Sequence, residues 1–274
     1  MAYGAASSCF DVGINALGAH AERLAGRSIM SMLHAWFCVG TLSAALAGGG
    51  IAALGVSPFA HYAGVALALA VLLRLALQAL PPDAPPARTP VDKLFAVPRG
   101  PVLALGLIGF CGAMAEGSVA DWSGVFMKDV LHVGDGMAPM GFAGFAAFML
   151  LARLSGDRLK DRFGARRVVS RGAVLAAAGV LLAVLAVNVP LTVVGFALAG
   201  AGLAAVFPFV FSAAGRHGPT ALAGVATLGY SGSLLGPPVI GFVSHGWGMR
   251  AGLAVLCLLS LGICLAAWRA RWLE

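Results

Sequence analysis

Residues 156–167 read GDRLKDRFGARR, twelve residues with five arginines or lysines and two aspartates. On either side lies an apolar stretch, 137–154 and 168–187, each holding a single charged residue, Arg153 or Arg171. A helix needs about 20 apolar residues to cross roughly 30 Å of hydrocarbon, so both stretches have the length of a membrane span. The charged run between them reads as a hairpin loop at a membrane surface.

The same pattern continues outward. Bounded by Arg, Pro or Gly clusters, nine spans emerge at 1–18, 31–55, 59–80, 101–127, 137–154, 168–187, 190–214, 221–245 and 251–267. The chain of 274 residues is 60% hydrophobic and 11% charged, with a mean hydropathy of +0.92. A soluble domain carries about 25% charge, so a soluble fold is excluded; disorder and a secreted disulfide scaffold fail on the same numbers. The expected fold is an all-α membrane protein of about nine helices. The cysteines at 9, 38, 111, 257 and 264 fall inside spans without C-x-x-C spacing and read as small packing residues.

The net charge of +7 would suggest nucleic acid for a soluble chain, but its placement follows the membrane. Arg23, Arg27, Arg74, Arg88, Lys93, Arg99, Arg153, Arg158, Lys160, Arg162, Arg166, Arg167, Arg171, Arg216, Arg269 and Arg271 fall on one side, and Lys128 and Arg250 on the other. The positive-inside bias then puts the C-terminus in the cytoplasm and Met1 outside, and no nucleic-acid partner is expected. Nothing basic precedes the first span, and that span lacks the basic start of a signal peptide, so it reads as a mature helix with preceding sequence expected. The longest hydrophilic stretch, PPDAPPARTPVDKLFAVPRG at 81–100, is a proline-broken cytoplasmic linker. It divides the chain into three helices (1–80) and a six-helix bundle (101–274).

Polar residues at membrane depth are expensive and mark function by default. Asp11 and Asn15 are four residues apart, so a helix puts both on one face. They read as a proton or substrate site or as a structural hydrogen-bonded pair. Glu116 lies fifteen residues past Pro101, about 22 Å along the helix, and is the second candidate for a protonatable group. Asp121 falls near 30 Å, and with Trp122 reads as an outer-rim anchor. His34 near a helix end, with no acidic or thiol ligand beside it, reads as structural, and no metal site or cofactor is expected. Pro208 and the pair Pro237–Pro238 are expected to interrupt two helices, freeing carbonyls for neighbours or water, with Tyr230 and Ser231 nearby as cavity walls or hinges. No G-x-S-x-G, H-E-x-x-H or H-x-E set occurs, so no catalytic residue is expected.

The run at 156–167 resembles the loop signature of the major facilitator superfamily through Asp161, Arg162, Gly164, Arg166 and Arg167. Gly156 stands five residues before Asp161 where the signature has four, and Ala165 replaces a basic residue. A plain positive-inside loop would also carry these charges. The segments FDVGINALGAHAERLAGRSIMSMLHAWFCVG from residue 10, AEGSVADWSGVFMKDVL from 115, GLAAVFPFVFSAAG from 202 and TLGYSGSLLGPPVIGF from 227 are similar to the fucose-permease-like branch, whose members include bacterial inner-membrane proteins of unassigned substrate. The family has two parallel six-helix halves joined by a cytoplasmic loop, so the resemblance makes these spans helices 4–12 and implies that the first three are absent. It implies alternating access, usually proton-coupled, on a small polar solute such as a sugar. Asp11 would be the fourth-helix carboxylate of the cavity, and the loop a cytoplasmic gate. Efflux of drugs or metabolites by the same fold, and a truncated chain that transports nothing, stand as alternatives; the oligomeric state is left open.

Overall fold

The computed structural model describes residues 2–79, 99–134 and 137–273; most of the linker at 81–100 lies outside the described residues. Every regular element among these is helical: α1 (Ala2–Ala25), α2 (Met30–Ala53), α3 (Pro58–Ala79), α4 (Pro101–Leu131), α5 (Met140–Phe163), α6 (Ala165–Leu185), α7 (Val189–Leu203), α8 (Val206–Arg216), α9 (Pro219–Trp247), α10 (Met249–Arg269), and a closing 3-10 turn (Arg271–Leu273). Each of the nine expected spans is found as helix. Among the described residues, five helical stretches, Pro58–Gln78, Pro101–Leu131, Ala165–Leu185, Val189–Arg216 and Met249–Arg269, are long and apolar enough to cross a membrane by length and composition.

Local chemistry sets the ends. Proline stands in the first turns of α4, α7 and α9, where its missing N–H costs nothing. Asn188 caps α7, its side-chain oxygen accepting from the Leu191 N–H at 3.0 Å. Gly164 joins α5 to α6 as a single residue at φ 81°, a conformation that side chains resist.

Of the two interruptions expected at proline, the structure has the one at Pro208 and lacks the one at Pro237–Pro238. The seventh span, expected as one helix over 190–214, breaks at Ala204–Ala205 into α7 and α8, with Pro208 in the first turn of α8. Its ring has no N–H to return to the carbonyl four residues earlier, so the ladder parts there. Pro237–Pro238 do not interrupt α9, which runs continuously from Pro219 to Trp247.

The chain divides into two compact units, Met1–Trp36 with Ala96–Glu274, and Phe37–Phe95. The second holds the rest of α2 and all of α3, whose apolar side chains face outward along its length. In the first, α9 lies along α4, α7 packs on both α5 and α6, and α10 packs on α6 and α4. Lipid is as apolar as leucine, so helices associate there through close packing rather than hydrophobic force. Small residues allow it: a Cβ on Gly172 would meet the Gly202 carbonyl oxygen at 2.5 Å, and one on Gly179 the Ala199 nitrogen at 2.6 Å. Phe126, Phe145, Phe196 and Phe209 fill the remaining core.

Candidate functional site

On α1, the Asn15 amide donates to the Asp11 backbone carbonyl at 2.9 Å and to its carboxylate at 3.3 Å. The four-residue spacing thus forms the expected pair, with Asn15 buried and Asp11 half-buried.

Glu116 on α4 is paired in a way the sequence reading missed. Arg153 on α5 brings Nη2 to 3.7 Å from the Glu116 carboxylate; the arginine side chain is 4% exposed and the glutamate 33%. Arg153 stands ten residues before the end of α5, about 15 Å along the helix. It is not a loop charge, and its place in the positive-inside count is corrected: a buried guanidinium at depth is held by a carboxylate. Its Nε also donates to the Ala204 carbonyl at 3.4 Å. Ala204 is four residues before Pro208, so this is the acceptor the proline leaves without an N–H. Beside these, the His34 ring stacks on Phe211 with centroids 6.1 Å apart, and its Nδ1 lies 3.0 Å from the Met30 carbonyl.

At the basic end of the bundle, the loop signature divides its residues differently from the expectation. Asp161 is exposed, and the Arg162 guanidinium lies 5.2 Å from the centre of the Phe163 ring. Gly164 is the joint, and Arg166 and Arg167 occupy the first turn of α6. The aspartate that reaches a helix end is Asp157. Its two carboxylate oxygens accept from the Ser31 N–H at 2.9 Å and the Met32 N–H at 2.8 Å, capping the first turn of α2. Ser31 Oγ donates to the Arg153 carbonyl at 2.8 Å, and a Cβ on Gly156 would collide with Ser31, so only glycine admits this approach. Asp157 lies beyond the apolar run ending at Leu154, and burial pushes its carboxyl above the ordinary 3.8. The backbone bonds from Met32 and Ser31 and the Lys160 charge oppose that shift, while Glu22 adds to it.

One turn on, Lys160 Nζ bridges Glu22 of α1 and Ser212 of α8; Ser212 Oγ lies 2.7 Å from both the lysine and the glutamate. Arg23 Nη1 donates to the Gly215 carbonyl at 2.9 Å. These contacts hold α1 and the start of α2 against α5 and α8. A cleft of about 270 Å³ lies beside them, lined by Glu22, Arg23, Lys160, Asp161, Ser212 and Arg216 among others.

Away from that end, Asp121 is exposed, whereas the Trp122 indole N–H donates to the Pro237 carbonyl at 3.1 Å and its ring lies against Gly241. Trp122 therefore ties α4 to α9. Tyr230 is half-buried, and Ser231 Oγ donates to the Leu228 carbonyl at 2.7 Å, within its own helix. Among the described residues, no three His, Cys, Asp or Glu side chains come together as metal ligands.

Comparison with known proteins agrees with this architecture. Residues 126–274 match the model of the Major Facilitator Superfamily. An uncharacterised MFS-type transporter of Yersinia pestis is 34% identical over 275 residues, covering 97% of this chain and 70% of that protein. The membrane protein MosC of Rhizobium meliloti is 30% identical, covering 96% of this chain and 65% of its own length. Among solved structures, the transporter FucP in its outward conformation superposes with a TM-score of 0.69 at 17% identity, over 87% of this chain and 66% of that one. A variant of the Escherichia coli fucose:proton symporter gives 0.70 at 16%, over 86% and 67%. The chain belongs to the Major Facilitator Superfamily, whose members carry small-molecule solutes through lipid bilayers and are not enzymes.

Proposed function

We propose that this chain moves a small polar solute, sugar-like or another polar metabolite, by alternating access coupled to protons. Glu116 with Arg153, and Asp11 with Asn15, are the groups that bind and release them. The observation that carries this reading is the Glu116–Arg153 pair, a carboxylate one-third exposed held against a buried guanidinium. Protonating Glu116 removes the counter-charge of a buried cation, which is costly unless an anion or a rearrangement replaces it, so proton binding and helix movement are linked. The similarity to a fucose:proton symporter supports the solute class and the coupling ion.

The organisation follows from the same reading. α1–α3 correspond to helices 4–6 and the rest to helices 7–12 of a twelve-helix plan, joined by the linker at 81–100. The protein is integral to a bacterial inner membrane, with the basic end and C-terminus in the cytoplasm. Asp157, Lys160 and their partners close that end in one state, and the α7–α8 break lets α8 move with them.

The test is uptake into proteoliposomes loaded with a pH-sensitive dye, against a panel of sugars and polar metabolites. Solute-driven acidification is expected, and Glu116→Gln should abolish it or displace its pH optimum. Arg153→Gln in that background should restore the thermal stability lost with the glutamate without restoring coupling. An unaltered pH profile in Glu116→Gln refutes the assignment.

A further inference from the structure

α5 and α6 follow one another across Gly164, yet they diverge: each packs on α7, and little holds them to each other. The wedge between them is a cleft of about 380 Å³ floored by the α7–α8 junction, a volume typical of a small-molecule site. Its walls are apolar, formed by Ala152, Leu159, Phe163 and Leu175 among others, and the last three of these are each more than a third exposed. Two arginines, Arg167 and Arg171, line it through their aliphatic stems, with the exposed guanidinium groups at its rim. They are four residues apart and share one face of α6.

Among the described residues, neither guanidinium has a hydrogen-bond or ion-pair partner, in contrast to Arg153 and Lys160. Arg171 lies six residues past the start of α6, about 9 Å along the helix, at the depth where a span passes from headgroups into hydrocarbon. An arginine there that snorkels toward the interface places its guanidinium at phosphate level, and the apolar wedge beneath it has room for an acyl chain. One molecule supplies both. We propose that this cleft binds an anionic phospholipid of the surrounding leaflet, with a chain between α5 and α6 and its phosphate held by Arg167 and Arg171. Arginine forks match phosphate oxygens in pairs, and two fixed cations at the cleft favour an anionic over a zwitterionic headgroup.

The site rests on the membrane reading of the chain and not on its transport activity. Gly156 lines the cleft on one side and meets Ser31 on the other, so the lipid braces the turn of α5 that carries the Asp157 cap.

Binding is measured on the detergent-purified protein by native mass spectrometry, titrating dioleoylphosphatidylglycerol against dioleoylphosphatidylcholine. The protein should prefer the phosphatidylglycerol. Arg167→Gln with Arg171→Gln should weaken its binding about fivefold per arginine, roughly twentyfold to thirtyfold together. Arg158→Gln with Arg162→Gln, which removes the same charge outside the cleft, should change it less than twofold. Leu175→Trp, which fills the wedge and leaves every charge in place, should also weaken it. Equal losses in the two arginine pairs would reduce the effect to general surface charge and overturn the proposal. So would unchanged binding in Arg167→Gln/Arg171→Gln, or glycerol 3-phosphate competing as well as the intact lipid, which would make this a site for a soluble anion. Because no transport is measured, failure here is separate from failure of the transport reading.

Discussion

Asp157→Ala removes both acceptors from the first turn of α2, leaving the Ser31 and Met32 N–H groups, now bonded at 2.9 and 2.8 Å, without partners. Losing a helix cap costs about 0.5–2 kcal/mol, and the burial that raises the Asp157 pKa places this cap in the lower half of that range. About 1 kcal/mol corresponds to a roughly fivefold shift from contact to separation of α2 and α5 at the basic end. The sign of the pH dependence follows from the same residue. Its folded pKa is raised above 3.8 by burial first, so between 3.8 and the raised value the folded state binds more protons than the unfolded one. Stability contributed through protonation of Asp157 is therefore fully present below 3.8 and is lost as pH rises through the raised value. An exposed aspartate cap does the opposite. The assay is a spin-label distance between Arg27→Cys and Arg162→Cys, both exposed positions at this end, with the five native cysteines replaced. The short-distance population should fall about fivefold in Asp157→Ala, and the difference between wild type and variant should shrink on going from acid to neutral pH. An unchanged distance distribution in a folded variant, or a difference that grows with pH, refutes the reasoning.

Gly156→Ala should destabilise by about 1–3 kcal/mol, because its Cβ would overlap Ser31, and Ser31→Gly should recover part of the loss in a thermal melt. Recovery with Ser31→Gly absent would place the strain elsewhere. Pro208→Ala returns an N–H to the Ala204 carbonyl in competition with Arg153; transport should fall while the melting temperature holds or rises, and full activity would detach the α7–α8 break from the cycle. Asp11→Asn should abolish proton-coupled uptake in proteoliposomes, and uptake with unaltered pH dependence would return Asp11 and Asn15 to a structural pair.

The helices were legible because lipid imposes one simple demand, an apolar run long enough to cross, and nine such runs can be read directly. Asp11 and Asn15 were legible because their contact lies within one helix, where spacing alone sets geometry. Glu116 is legible by its cost at depth, but its pairing with Arg153 is not, because Arg153 lies one residue from the end of the apolar run and there reads as one more cytoplasmic charge. The behaviour of the prolines depended on neighbours. Pro208 breaks its helix where Arg153 takes the freed carbonyl, whereas Pro237–Pro238 sit in a helix that lies along α4, where the Trp122 indole bonds the Pro237 carbonyl.

The exchange of Asp161 for Asp157 has a sequence-level cause. Arg153, Gly156, Asp157 and Lys160 stand at i, i+3, i+4 and i+7, so a helix places them in one stripe. As a loop signature, 156–167 reads as a connection between spans, which hides that helical spacing. α5 instead continues to Phe163, carrying the stripe past the apolar run to meet Ser31, Met32, Glu22 and Ser212. Charges that keep helical period beyond the end of an apolar run are charges on a helix face, and on α5 one such face meets the fold while the face of Arg158, Asp161 and Arg162 stays exposed. The partner of the first face is the pair α1–α2, and the glycine in the stripe is what allows it to come close enough for the aspartate to reach.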